Sequence, residues 1–339
     1  MNQERKALRV GVVAILCAII LRLGINGAFQ PLVDLLRRPE TAAFLFYLET
    51  GRVLRANQPE SEEAWARESP PPDFPAETVS PPEPAEFSPE DLGLVELYSS
   101  REEDPDLEEL LLSPLNWNLT GPDPTVLILH THATESYTKA PGEDYEETYD
   151  YRTPDPRYNM LSVGQALAED LKNRVISVLH DQTLHDAVSY NGAYTAARET
   201  VERYLAQYPS IQLVLDLHRD AADSGNGQLN TAADVDGQSS AQLMLVAGSD
   251  GGGYSHDRWQ DNLSLALKLH VLLEKDNPGL CRHLCLRNSR YNQDLSPGML
   301  LVEVGAAGDT RQEALTAVQA LAEGILALSG GGIKADSTS

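Results

Sequence analysis

From residue 124 onward, short apolar runs alternate with segments whose apolar residues are spaced three and four apart. Val126–Leu129, Leu213–Leu217, Leu243–Val246 and Met299–Val304 read as strands buried on both faces, since such strands are continuously apolar. Val175–Leu179 is a further short strand. Between them, a helix begins near Asn159 with Leu161, Gly164, Leu167, Ala168 and Leu171 on one face. Ala193–Tyr208, stopped by Pro209, Trp259–Glu274 and Arg311–Leu328 are the other helices. Strands alternating with helices predict an α/β fold built on a single, mostly parallel sheet with helices on both faces. This folded domain is expected over residues 114–330, followed by a disordered tail at 331–339.

The N-terminal pattern is different. Arg5, Lys6 and Arg9 precede an apolar run from Val10 to Leu21, which Arg22 interrupts before Leu23–Phe29. Residues 1–30 are therefore expected to form a transmembrane helix with a cytoplasmic N-terminus, the snorkelling arginines compensating for its short length. A cleaved signal peptide is the rival reading, although NGAF followed by Gln30 makes a poor cleavage site. Residues 31–50 keep helical spacing; from 51 onward, Pro and Glu clusters such as ESPPPDFP and SPPEPAEFSPEDL take over. Such composition cannot bury enough surface to fold, so 31–113 is expected to be an extracytoplasmic acidic linker, with LGLVELY and LEELLL as transient or partner-bound turns.

Composition narrows the function. The net charge of −25, with 51 acidic residues against 26 basic, argues against a nucleic-acid binder, which needs a basic face. Three cysteines are too few for a disulfide scaffold. Cys281 and Cys285, with His283 between them, leave one bridge open and make a poor structural zinc site, which usually needs two such pairs. GSDGGG at 248–253 lacks the lysine of a phosphate loop and reads as a turn.

The candidate chemistry sits where the apolar runs end. His130, His132 and Glu135 follow the first strand, His218 follows Leu213–Leu217, and Glu303 stands inside Met299–Val304. In α/β sheets, ligands bind beyond the carboxyl ends of the strands. Imidazole and carboxylate are also the groups zinc takes in hydrolytic sites. An ionised Glu303 in a buried strand needs a partner, which a metal or an acidified water would supply, and that is the role of a general base. Arg219 or another cation is the candidate oxyanion stabiliser, Asp216 and Asp220 are alternative carboxylates for the second ring nitrogen of a ligand histidine, and Tyr291–Ser296 is expected beside the substrate groove.

HTHATESY at 130–137, the helix segment NMLSVGQALAEDL at 159–171, DLHRD at 216–220 and RYNQDLSPGMLLVEVGAAGDT at 290–310 closely resemble the stage II sporulation protein P family, over about residues 124–328. That resemblance implies a membrane-anchored zinc peptidoglycan hydrolase with a fold related to the N-acetylmuramoyl-L-alanine amidases. It would cut the bond between N-acetylmuramic acid and L-alanine, and cross-linked stem peptides as well, between the mother-cell and forespore membranes during engulfment. Stage II sporulation proteins D and M would be its partners. The implied metal ligands are His218, one of His130 and His132, and Glu135, the last standing in for a carboxylate expected at Asn159; Glu303 would be the catalytic residue. A zinc peptidase confined to peptides and a non-catalytic wall-binding protein of the same fold are the alternatives.

Overall fold

The computed structural model describes residues 85–115, 118–147, 151–221 and 228–329. The expected anchor, the segment 31–84 and the tail beyond 330 lie outside the described residues. Among the described residues no helix is long and apolar enough to cross a membrane.

One seven-stranded sheet organises the domain, in the order β1-β8-β7-β9-β4-β2-β3. Its strands are β1 (Leu97–Ser99), β2 (Val126–Leu129), β3 (Val178–His180), β4 (Leu213–Asp220), β7 (Leu243–Gly248), β8 (Leu284–Arg287) and β9 (Met299–Ala306). A separate antiparallel hairpin joins β5 (Ala233–Val235) to β6 (Gln238–Ser240). All neighbours in the sheet run parallel except β7 and β9, so the expected mostly parallel sheet is two parallel halves meeting at one antiparallel seam.

Because successive strand residues point to opposite faces, the two faces can be followed residue by residue. Leu213, Leu215 and Leu217 of β4, Leu300, Val302 and Val304 of β9, and Leu243 and Leu245 of β7 enter the main core. There they meet α2 (Met160–Asn173), α4 (Trp259–Asp276) and α5 (Arg311–Ser329). On the opposite face α3 (Ala193–Gln207) packs Ala197 and Val201 onto Leu127, Leu129, Val214 and Met299. Helices thus cover both faces, but the second only over the β2-β4 side. Across β9, β7 and β8 that face carries a smaller apolar group, Met244, Val246, Cys285 and Leu301, with Tyr291 against it.

The folded part begins earlier than the sequence suggests. Residues 85–113, expected as the end of the linker, belong to the domain: β1 pairs with β8, and Phe87 and Leu111 are buried in the main core. The segment is too acidic to build a core of its own, and it folds by borrowing one. Asp106 caps α1 (Leu107–Leu112) by accepting from Glu109 N at 3.0 Å, and the end of α1 is held by Lys268 of α4. That ammonium, wholly buried, donates to Leu110 O at 2.5 Å, Ser264 Oγ at 2.6 Å and Ser113 Oγ at 3.3 Å.

Other expectations shift locally. Val175 lies at φ 65° and is exposed, so the strand expected from it starts at Val178. β8 was not anticipated at all. Cys285 sits buried in it, and Cys281 and Cys285 are both free thiols.

Candidate metal centre and its cleft

β4 and β9 set the site's floor. Their register puts His218 beside Glu303, and a register irregularity between His218 and Asp220 loosens the ladder just beyond the pair. His132 and Glu135 arrive from the turn after β2. That turn is fixed to the start of α2: Ser136 bridges to Asn159, and Met160 N donates to Glu135 O at 2.9 Å. Asn159 is buried, and its Oδ1 caps α2 by accepting from Leu161 N. Glu135 therefore stands next to the position where the resemblance expects a ligand carboxylate and finds an asparagine.

His132, Glu135 and His218 each offer a ligand atom, and these atoms all lie within 4.8 Å of one another. Glu135 Oε1 is 3.5 Å from His132 Nδ1, and Oε2 is 3.6 Å from His218 Nδ1. All three residues are buried. Burial opposes the charge on Glu135, but hydrogen bonds from His132 and His218 hold its carboxyl well below the usual range. Burial would lower His218 too; the Asp216 and Glu135 carboxylates outweigh it and hold the imidazole above its ordinary pKa. Asp216 Oδ1 is 3.1 Å from His218 Nε2, though not aligned for a hydrogen bond, and is itself fixed by Thr131 N at 2.7 Å. Asp220, the other expected carboxylate, instead pairs with Arg282 at 2.7 Å.

Glu303 faces the same space. Its Oε2 is buried and has no hydrogen-bond partner among the described residues. Desolvation pushes its pKa up to about 8; the attraction of His218 opposes this and the charge of Glu135 adds to it. A partnerless buried carboxylate oxygen calls for an explanation. Two imidazoles and one carboxylate converging beside it are of the type and closeness that a divalent metal requires.

Of the two alternative histidines, His132 is in the cluster and His130 is not. His130 is wholly buried with both ring nitrogens engaged: Nδ1 donates to Leu217 O at 3.1 Å, so the neutral ring presents Nε2 as acceptor to His180 Nε2 at 2.9 Å. Burial and the neighbouring His180 lower its pKa to about 3. A Cβ at position 164 would collide with that imidazole, which accounts for Gly164 on the inner face of α2. Arg219 is tied to the same loop. Its Nε donates to Ser136 O and its NH2 group to Tyr151 O, both at 2.9 Å, while its backbone N donates to Glu135 Oε2 at 3.3 Å. It clamps the ligand-bearing loop and lines the cleft over the cluster.

A cleft of about 670 Å³ opens over the cluster. Tyr190 stacks on His132 with ring centroids 4.2 Å apart, and Tyr194 lies edge-on to His132 and parallel to His218. Burial, with Asp216 and Glu303 nearby, keeps the Tyr194 phenol protonated. Arg152 reaches over the Tyr190 ring to Glu135 Oε1 and Asp186 Oδ2, each at 3.2 Å. These three residues escaped the sequence reading. The spacing of two tyrosines four apart at the start of a helix was the available signal. Tyr291, expected beside the groove, does line the cleft.

The family model for Stage II sporulation protein P (SpoIIP) matches residues 54–326. The chain belongs to the stage II sporulation protein P family. It is 28% identical over 216 residues to stage II sporulation protein P of Bacillus subtilis (strain 168), an alignment covering 60% of this chain and 51% of that one. The chain thus spans about half the length of that curated relative. Among solved structures, the N-acetylmuramoyl-L-alanine amidase AmiC2 of Nostoc punctiforme is similar at a TM-score of 0.36 and 12% identity, over 61% of this chain and 97% of that one. The CwlD amidase of Clostridioides difficile, solved with the GerS lipoprotein, is similar at 0.32 and 13%, over 61% and 95%.

Proposed function

We infer that this chain is a zinc-dependent peptidoglycan hydrolase that cuts the amide between N-acetylmuramic acid and L-alanine, with cleavage of cross-linked stem peptides as a further activity. One observation carries the reading: His132, Glu135 and His218 converge within 4.8 Å, and the partnerless Oε2 of Glu303 opens beside them. The N-terminal segment would hold the domain outside the cytoplasmic membrane, between mother-cell and forespore membranes, where stage II sporulation proteins D and M would be its partners.

His132, Glu135 and His218 would hold the metal. Zinc bound there supplies Lewis acidity, polarising a carbonyl and bringing the pKa of water to roughly 7. The rest belongs to the chain. Asp216, fixed by Thr131, orients His218, and Arg219 and Arg152 hold Glu135 at its place in the loop. Glu303 takes the proton of the attacking water at its carboxylate and returns it to the leaving amine. Tyr190 and Tyr194 shelter the site on the α3 side.

The test is mass spectrometry of the muropeptides that the purified chain releases from peptidoglycan, alongside metal analysis. New free L-alanine N-termini and about one zinc per chain are expected, with zinc lost in His218→Ala. Release of peptide fragments without free L-alanine N-termini would favour the peptidase alternative. Stoichiometric zinc in a folded His218→Ala would remove the proposed centre.

A further inference from the structure

The cleft extends well past the metal centre, and its floor can be read from strand register. His218 pairs with Glu303, Glu303 with Met244, Val246 with Cys285, Gly248 with Arg287, and Cys285 with Tyr98. One sheet face therefore runs from polar donors on β4 and β9, over the apolar strip of Met244, Val246 and Leu301, to Arg287 on β8 and Tyr98 on β1. His218, Glu303, the apolar strip, Arg287 and Tyr98 all line the same cleft.

Arg287 differs from its neighbours there. Arg152 is paired with Glu135 and Asp186, and Arg282 with Asp220. Among the described residues Arg287 has no ion pair, and its guanidinium lies over the Tyr98 ring, 4.8 Å from the centroid. A cation–π contact orients a guanidinium without using its hydrogen-bonding edge. His283 reports the same local field: burial comes first, then the cations of Arg282 and Arg287, in lowering its pKa. In a chain of net charge −25, an oriented cation at the end of the cleft with the Cys285 thiol but no carboxylate beside it among the described residues marks a place for an anion.

We propose that Arg287, laid over Tyr98, anchors a carboxylate of the substrate's peptide part and so selects which peptides the cleft accepts. This rests on the hydrolase reading above. Arg287 stands two strands from Glu303, roughly 10 Å across the sheet, and level with Gly248 where Glu303 is level with Met244, roughly 13 Å further along the strand, so the two are roughly 16 Å apart. An extended peptide covers that in about five residues. The apolar strip between would carry the intervening aliphatic groups, and the planar guanidinium suits a carboxylate held by two hydrogen bonds.

The experiment compares a soluble muramoyl peptide with free carboxylates and the same peptide with its carboxylates converted to carboxamides, using the purified full chain. The carboxylate form is expected to show a KM about 10-fold lower, a discrimination that Arg287→Gln abolishes with kcat changed by less than about twofold. Arg287→Lys should recover part of it, and Tyr98→Leu, which removes only the ring, should raise the same KM by a smaller factor. A wild type indifferent to amidation, or an Arg287→Gln variant that still discriminates, overturns the proposal. Calorimetric binding of the free peptide separates the two readings. Arg287-dependent binding without bond cleavage would keep the anchor and remove the hydrolase; cleavage indifferent to both carboxylate and Arg287 would do the reverse.

Discussion

Two desolvated ionisable groups, Lys268 in the helix layer over the covered face of the sheet and Glu303 with its buried Oε2 on the open one, show how differently one fold treats the same electrostatic problem. Burial moves both toward neutrality, and both end at a pKa of about 8. Lys268 is surrounded by Leu110 O, Ser264 Oγ and Ser113 Oγ, so its cost is offset by hydrogen bonds that tie α1 to α4. Glu303 Oε2 has no such partner among the described residues. Where a partner is supplied, the group is part of the scaffold; where it is withheld, the group is kept available for something that comes from outside.

The largest expected effect tests that contrast directly. Glu303→Gln keeps the size of the side chain but cannot take a proton, so release of free L-alanine N-termini should fall by about 10²- to 10⁴-fold. Zinc content and the thermal midpoint of the metal-free chain should hold or rise, since a buried partnerless carboxylate is removed. A loss of stability with near wild-type turnover would make Glu303 a scaffold residue like Lys268.

Lys268→Ala is the mirror experiment. Removing the ammonium takes one donor from Leu110 O and the Ser113 and Ser264 hydroxyls, which remain bonded among themselves, and opens a cavity, which together should cost about 2–4 kcal/mol in denaturant unfolding. Turnover per folded molecule should not change. Asp216→Asn probes the ligand support next: zinc affinity, measured by competition with a chelator, should weaken by about 10- to 100-fold with the fold intact.

The smallest effect is a slope. In the metal-free chain the folded state keeps the Glu303 proton between pH 4.5 and about 8, where the unfolded chain has lost it. Stability should therefore fall as pH rises through this window, by no more than about 1.4 kcal/mol per pH unit from this group. His218, also raised, adds a slope of the same sign above pH 6.5. Glu303→Gln should remove the first contribution and leave the second.

The parts of this contrast that the sequence carried are those made by continuous apolar runs. Val126–Leu129, Leu213–Leu217 and Met299–Val304 announce central strands, and the polar residues at their ends are the ones the sheet brings together. What escaped was made by long-range borrowing. β1 has only three residues and an acidic, Pro-rich approach, and is a strand because β8 is beside it. Between His130 and His132 the choice depends on how the chain turns after β2, which periodicity does not encode. Arg219 adjoins His218 in sequence and lines the same cleft, but its hydrogen bonds to Ser136 and Tyr151 depend on the fold of the loop after β2, which no local pattern announces.

The antiparallel seam also bears on how the protein is born. β9 lies between β4 and β7, although every other strand precedes it in the chain, and β1 must wait for a partner roughly 190 residues downstream. Until residues 299–306 have emerged, the two halves of the sheet have nothing to join them, and the chain has no Glu303. On the proposed function a nascent or truncated polypeptide would be silent by construction: the strand that closes the architecture is also the one that brings Glu303, so hydrolysis would arise only with a finished fold.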